Sequence, residues 1–288
     1  MGIAWKCYLL VLRQTLVATF EDRGFGVAKA AAYSALLSFF PVLTTATAIL
    51  VQTKAEFVSH TVAEFLFEVI PPGTEELVRY QFAVKGQRPV MLLVLASILS
   101  VWAASGVIGS LMQGFQAAYH VEKGRPFLRG VAISMMLVVF SGGPLLAAIG
   151  LMFFGSYIDR MVMHWLDPFL LSPVTFLWHL LTRVTRYAVA FSASVAVTML
   201  LYYFGPYRRQ RWRGVWRGAV LATVLWLLAT GGFGWYVRNI ANYNVLYRSV
   251  ATSITLLVWM YLMSIIALLG CEFNAQFERF CISLQKPK

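Results

Sequence analysis

Ser249–Leu269 reads SVATSITLLVWMYLMSIIALL, twenty-one residues without a single charge. A helix rising ~1.5 Å per residue needs about 20 such residues to cross roughly 30 Å of hydrocarbon, so this stretch is expected to span a membrane. Five more stretches of the same character precede it: Val27–Val51, Val90–Gln116, Val131–Phe154, Tyr187–Phe204 and Val215–Trp235. Each ends in turn formers or basic residues. A bilayer core offers the backbone no hydrogen-bonding solvent, so every crossing has to be a helix that satisfies its own amides. The predicted fold is therefore all-α: a polytopic membrane protein with six transmembrane helices plus amphipathic interfacial helices. Composition agrees, because 59% hydrophobic and 12% charged residues lie outside the range of a soluble domain.

The formal charge is +12, and its position is more informative than its size. Fifteen of the Lys and Arg residues fall in the two termini and the second and fourth loops, against nine in the first, third and fifth loops. Those three loops also carry seven of the twelve acidic residues. The positive-inside rule then places both termini in the cytoplasm. No cleavable signal peptide is expected, since Arg13 interrupts the first apolar stretch and no small-residue cleavage site follows. Cys7, Cys271 and Cys281 fall on the cytoplasmic side, where disulfides are not expected.

The chain divides into an interfacial amphipathic helix over residues 1–26, a six-helix domain over 27–270 and a short cytoplasmic tail over 271–288. Trp5, Leu9, Leu12, Leu16 and Phe20 form one stripe of the first helix, while Lys6, Arg13 and Gln14 lie off it. Such a helix lies in the inner leaflet's interface or packs on the protein's own cytoplasmic ends. Structured outer loops are expected at 52–89 and 155–186, the latter with a helix that starts either at Tyr187 or near Pro173. Gly214, Gly218 and Ala222 make a small-residue series on one span, and Gly106 with Ser110 on another, both suited to close helix approach. Gly142-Gly143-Pro144 and Gly231-Gly232 are candidate kinks or unwound turns.

Candidate functional residues are few. Ser34, Ser38, Pro41 and Thr45 share one face of the first span, with Tyr33 and Lys29 towards its cytoplasmic end. Tyr33, Ser34, Ser38 and Thr45 would line a polar groove; the alternative is that the hydroxyls bond their own or a neighbouring helix. Arg183 and Arg186, three residues apart, form a candidate phosphate-binding pair for a lipid headgroup, against pairing with Asp159 or Asp167 or simple snorkelling. Arg208, Arg209, Arg211 and Arg213 alternate with aromatic residues, a pattern that beside a membrane reads as anionic-lipid contact rather than nucleic-acid binding. Lys29, Arg217, Glu272 and Asn274 form a candidate cytoplasmic gate. His60, Glu64 and Glu68 have metal-ligand spacing on the first outer helix, but the same spacing describes a solvated face. No HExxH, Gly-x-Ser-x-Gly or Walker sequence occurs, so neither catalysis nor a metal or other cofactor is expected.

The order of residues along these helices resembles the YihY/BrkB family of bacterial inner-membrane proteins. The resemblance runs from Phe20-Glu21-Asp22 and Ala30-Ala31-Ala32-Tyr33-Ser34-Ala35-Leu36-Leu37-Ser38-Phe39-Phe40-Pro41 through Ile70-Pro71-Pro72, Arg217-Gly218-Ala219 and Phe233-Gly234-Trp235-Tyr236. It continues through Tyr243, Tyr247, Ser249 and Trp259-Met260-Tyr261 to Gly270-Cys271-Glu272-Phe273-Asn274-Ala275. Arg248 departs from it, standing where the family has glycine. The resemblance implies a six-span helical bundle. It also brings an old ribonuclease BN label, an association with serum resistance, and links to movement of lipid or lipopolysaccharide precursors. The nuclease label fits poorly, since no clustered His and Asp ligands accompany it. The expected function is a transporter or lipid-handling protein, with membrane lipids, anionic ones above all, as partners. A membrane anchor or scaffold for an envelope partner is the alternative.

Overall fold

The computed structural model describes residues 2–52, 90–122, 124–144, 161, 172–208, 210–239 and 248–285. These form seven helices and no strand: α1 Gly2–Glu21, α2 Gly24–Gln52, α3 Val90–Ala118, α4 Phe127–Pro144, α5 Ser172–Phe204, α6 Trp212–Asn239 and α7 Arg248–Gln285. All but α1 are long and apolar enough to cross a membrane, as the six apolar segments predict. α5 begins at Ser172 with Pro173 as its second residue, where the missing N–H costs nothing. Residues 172–186 of the expected outer loop are thus the opening turns of a helix. α7 likewise runs past Leu269 to Gln285 without a break, so most of the expected tail is helical. Pro41 sits inside α2, and α6 passes through Gly231 and Gly232 unbroken.

α7 is the hub. Within its span 44% of residues are buried, against 6% for α5, and it packs on α1, α2, α3 and α6. The core around it joins Ala28 and Ala31 of α2, Phe115 of α3, Tyr202 of α5, Ala219 and Ala222 of α6, and Leu268 and Cys271 of α7. Phe115 and Tyr202 meet edge to face with centroids 5.4 Å apart. α4 is held separately, with Leu137 buried against Ile108 and Met112 of α3. Cys271 and Cys281 are free thiols.

α1 shows how one helix serves two neighbours. Its buried face carries Val11, Thr15 and Thr19, whereas Leu12, Leu16 and Phe20 of the apolar stripe are exposed. Thr15 donates to the Val11 carbonyl and Thr19 to the Thr15 carbonyl, each at 2.8 Å, so the hydroxyls enter the packed face already satisfied. The helix therefore docks on α7 through small threonines and leaves its leucine stripe outward.

The loop after α3 closes with a Schellman motif. The Val121 amide donates to the Gln116 carbonyl at 3.0 Å and the His120 amide to that of Ala117 at 2.8 Å, with His120 in the left-handed region at φ 49°. The α1–α2 turn reaches the same region through Arg23, φ 54°.

Candidate functional site

A groove of about 510 Å³ opens between α2, α3 and α4. Its floor is small and polar: Ser34 from α2; Ser105, Gly106, Gly109 and Ser110 from α3; Gly130 and Ser134 from α4. Leu37, Trp102 and Phe127 line it as well and are all more than half exposed, which gives the groove an exposed apolar rim. Ser105, Ser110 and Ser134 donate to the carbonyls of Trp102, Gly106 and Gly130 at 2.6, 3.0 and 2.9 Å. Their protons are thereby spent on their own helices, leaving oxygen lone pairs as the polar surface they can offer.

One end of the groove is different in kind. Gln113, Gln116 and Arg125 line it there, all able to donate. Arg125 reaches across to the C-terminus of α5, donating to the Phe204 carbonyl at 2.6 Å and the Gly205 carbonyl at 3.3 Å, and lies over the Tyr207 ring at 5.3 Å. A cation on helix-terminal carbonyls is favourable twice, through the hydrogen bonds and through the helix dipole. Its Nε is buried without a partner, and burial pulls the guanidinium's pKa below its ordinary value, with Tyr207 opposing. Arg279 plays the same part for α3, donating to the Ala118 carbonyl at 2.6 Å.

Of the residues proposed for a polar groove, the structure brings only Ser34 to this one. Ser38 is buried and donates to the Ala35 carbonyl at 2.9 Å, Thr45 shares a 2.8 Å hydrogen bond with Ser100 of α3, and Tyr33 is 61% exposed. Arg183 is exposed and Arg186 partly so; neither lines the groove. The residues that reasoning from sequence missed are Gln113, Gln116, Arg125 and the glycines. Gly106, Gly109, Ser110, Gln113 and Gln116 recur at steps of three and one, a small and polar stripe on one face of α3, and that periodicity was the available signal.

Of the candidate gate residues, Arg217 and Asn274 line one pocket, and Lys29 and Glu272 do not line it. Asn274 is a structural clamp: its Oδ1 accepts from the Gly218 amide at 2.7 Å and its Nδ2 donates to the Val215 carbonyl at 2.9 Å. Glu272 is buried and accepts from Gln276 at 2.8 Å. Arg217 lies over the Phe277 ring at 4.2 Å, and Lys29 is exposed. Among the basic run, Arg208 pairs with Glu278, Arg211 and Arg213 line a second pocket, and Arg209 lies outside the described residues. His60, Glu64, Glu68, Asp159 and Asp167 also lie outside them. Among the described residues no group of three or more His, Cys, Asp or Glu has the arrangement of a metal site.

Residues 16–286 match the family described as Virulence factor BrkB. The chain belongs to that family. Among its relatives, YfkH of Bacillus subtilis (strain 168), which bears a ribonuclease-like name, is 31% identical over 190 residues, covering 65% of this chain and 66% of YfkH. A UPF0761 membrane protein of Chlorobium phaeobacteroides (strain DSM 266) is 26% identical over 93% of this chain and 56% of its own length. A third, from Chromohalobacter salexigens, is 27% identical over 94% of this chain and 64% of its own. This BrkB-family chain thus spans between about half and two thirds of the length of these relatives. No solved structure matches it.

Proposed function

We propose that this BrkB-family chain is a lipid-handling protein whose groove between α2, α3 and α4 holds one phospholipid of a single leaflet. The observation that carries the reading is the groove's two-part chemistry: a serine and glycine floor behind an exposed apolar rim, ending at Gln113, Gln116 and Arg125. A phospholipid has the same division, acyl chain and ester oxygens followed by a charged phosphate. Length agrees, since Trp102 to Gln116 on α3 covers roughly 21 Å, about one leaflet's hydrocarbon with part of its headgroup zone. The positive-inside count assigns that end to the cytoplasmic face, so the lipid belongs to the inner leaflet.

Arg183 and Arg186 offer the competing headgroup position. Arg186 lies eighteen residues before Phe204 on α5, roughly 27 Å away along the helix axis, and so near the opposite membrane surface. Native mass spectrometry with lipidomics on the purified chain decides between the two. Parent protein is expected to retain one phospholipid, and Gly130→Leu, which projects a side chain into open space, is expected to lose it. Equal and unselective lipid in both would remove the groove and favour a scaffold role. Loss in Arg183→Ala/Arg186→Ala with retention in Gly130→Leu would move the headgroup to the far end.

A further inference from the structure

We propose that a second pocket, between the start of α6 and the last turns of α7, binds a phosphate-bearing anion, independently of the lipid groove. It has a volume of about 400 Å³ and is lined by Arg211, Arg213 and Arg217 on one side and Phe277 and Glu278 on the other. The carboxylate it contains is already committed, because Glu278 pairs with Arg208, whose guanidinium lies 5.2 Å from the Tyr119 ring centre. No other carboxylate among the described residues lines the pocket or pairs with its three arginines.

Arg217 is held ready rather than satisfied. Its guanidinium stacks over Phe277 at 4.2 Å and lies 5.4 Å from the Trp216 ring, contacts that use the faces of the cation and leave its edge N–H groups for an acceptor. Gln210 adds an independent sign. The residue lines the same pocket, and its side-chain nitrogen is buried without a hydrogen-bond partner, a cost that an acceptor bound within reach would remove. α6 also begins here, at Trp212, so the positive end of a 28-residue helix lies beside the pocket.

The walls are fixed relative to each other. Asn274 ties the α7 wall to the backbone of α6 at Val215 and Gly218, so the two helices that carry the pocket are held in register. Three guanidinium forks, an amide donor and a helix N-terminus suit the several oxygens of a phosphate better than a single carboxylate. That phosphate has two possible sources, a lipid headgroup or a soluble phosphate.

The test uses the full chain in phosphatidylcholine nanodiscs, titrated calorimetrically with inorganic pyrophosphate and, separately, with dioctanoyl phosphatidic acid. At least one probe is expected to bind with a Kd below about 1 mM and to weaken about tenfold in Arg217→Gln and in Arg211→Gln, the loss of one charged hydrogen bond. Arg211 is exposed, so its variant carries the test if Arg217→Gln does not fold. Pyrophosphate binding alone assigns a soluble ligand, phosphatidic acid binding alone a headgroup, and both confirm the shared phosphate chemistry. Arg129→Gln removes the same charge from the exposed start of α4 and is expected to bind as the parent does. Binding of neither probe, parent-like binding in both pocket variants, or an equal loss in Arg129→Gln would overturn the proposal. A groove that holds no lipid would leave these results unchanged.

Discussion

Two sets of glycines in this molecule do opposite things. At the α6–α7 crossing a Cβ on Gly218 would overlap the Gly270 carbonyl and lie 2.6 Å from the Asn274 amide, and one on Gly270 would lie 2.7 Å from the Ala222 methyl. In the groove, a Cβ on Gly106 or Gly109 would meet its nearest neighbour at 3.9 or 3.6 Å, and one on Gly130 would meet nothing within 4 Å. The first set is small so that two backbones can touch. The second leaves room: a methyl would sit in ordinary contact at Gly106 and Gly109 and in open space at Gly130. A missing side chain is thus a packing device where an added methyl would overlap its neighbour and a source of open space where it would not.

The comparison breaks first at the crossing. Gly218→Ala is expected to destabilise the chain by about 3 kcal/mol or more, because the added methyl meets backbone that cannot yield. A thermal melt in detergent close to the parent's would show that the two helices do not cross as described. Asn274→Leu comes next. It keeps the branching at Cγ but removes both arms of the clamp, and is expected to cost about 2 kcal/mol. An unchanged melting temperature would mean that glycine contact alone holds the crossing.

Smaller effects separate the capping arginines from the groove. Arg279→Gln takes a charged donor from the C-terminus of α3 and is expected to cost about 1 kcal/mol. Increased amide exchange confined to the end of α3 would sharpen the assignment, and exchange unchanged there would refute it. Gly130→Leu is expected to shift stability by no more than about 0.5 kcal/mol while displacing bound lipid. Should it instead unfold the protein, Gly130 belongs with Gly218, and the groove is no open space.

The basic residues repeat this lesson. Counted by loop, Arg125, Arg208, Arg217 and Arg279 are interchangeable positive charges on one side of a membrane. In the structure Arg125 and Arg279 cap α5 and α3, Arg208 pairs with Glu278, and Arg217 stacks on Phe277. Their partners come from helices up to 161 residues away in the chain, so no local pattern announces them. The serines of α2 behave alike. Ser34, Ser38 and Thr45 share a helical face, yet only Ser34 reaches the groove: Thr45 is tied to Ser100 of α3, and Ser38 is buried with its proton on the Ala35 carbonyl.

What the amino-acid order determined by itself is the set of helices: six apolar spans and an amphipathic first helix. Burial of backbone amides in hydrocarbon admits no other solution, and hydrophobic length and periodicity are local properties of the chain. Which small residues touch and which leave a groove, and which arginines cap, pair or stand open beside a pocket, were decided by the tertiary structure alone. Those roles depend on the distance to a neighbouring helix, and a glycine or an arginine carries no record of that distance in its own sequence.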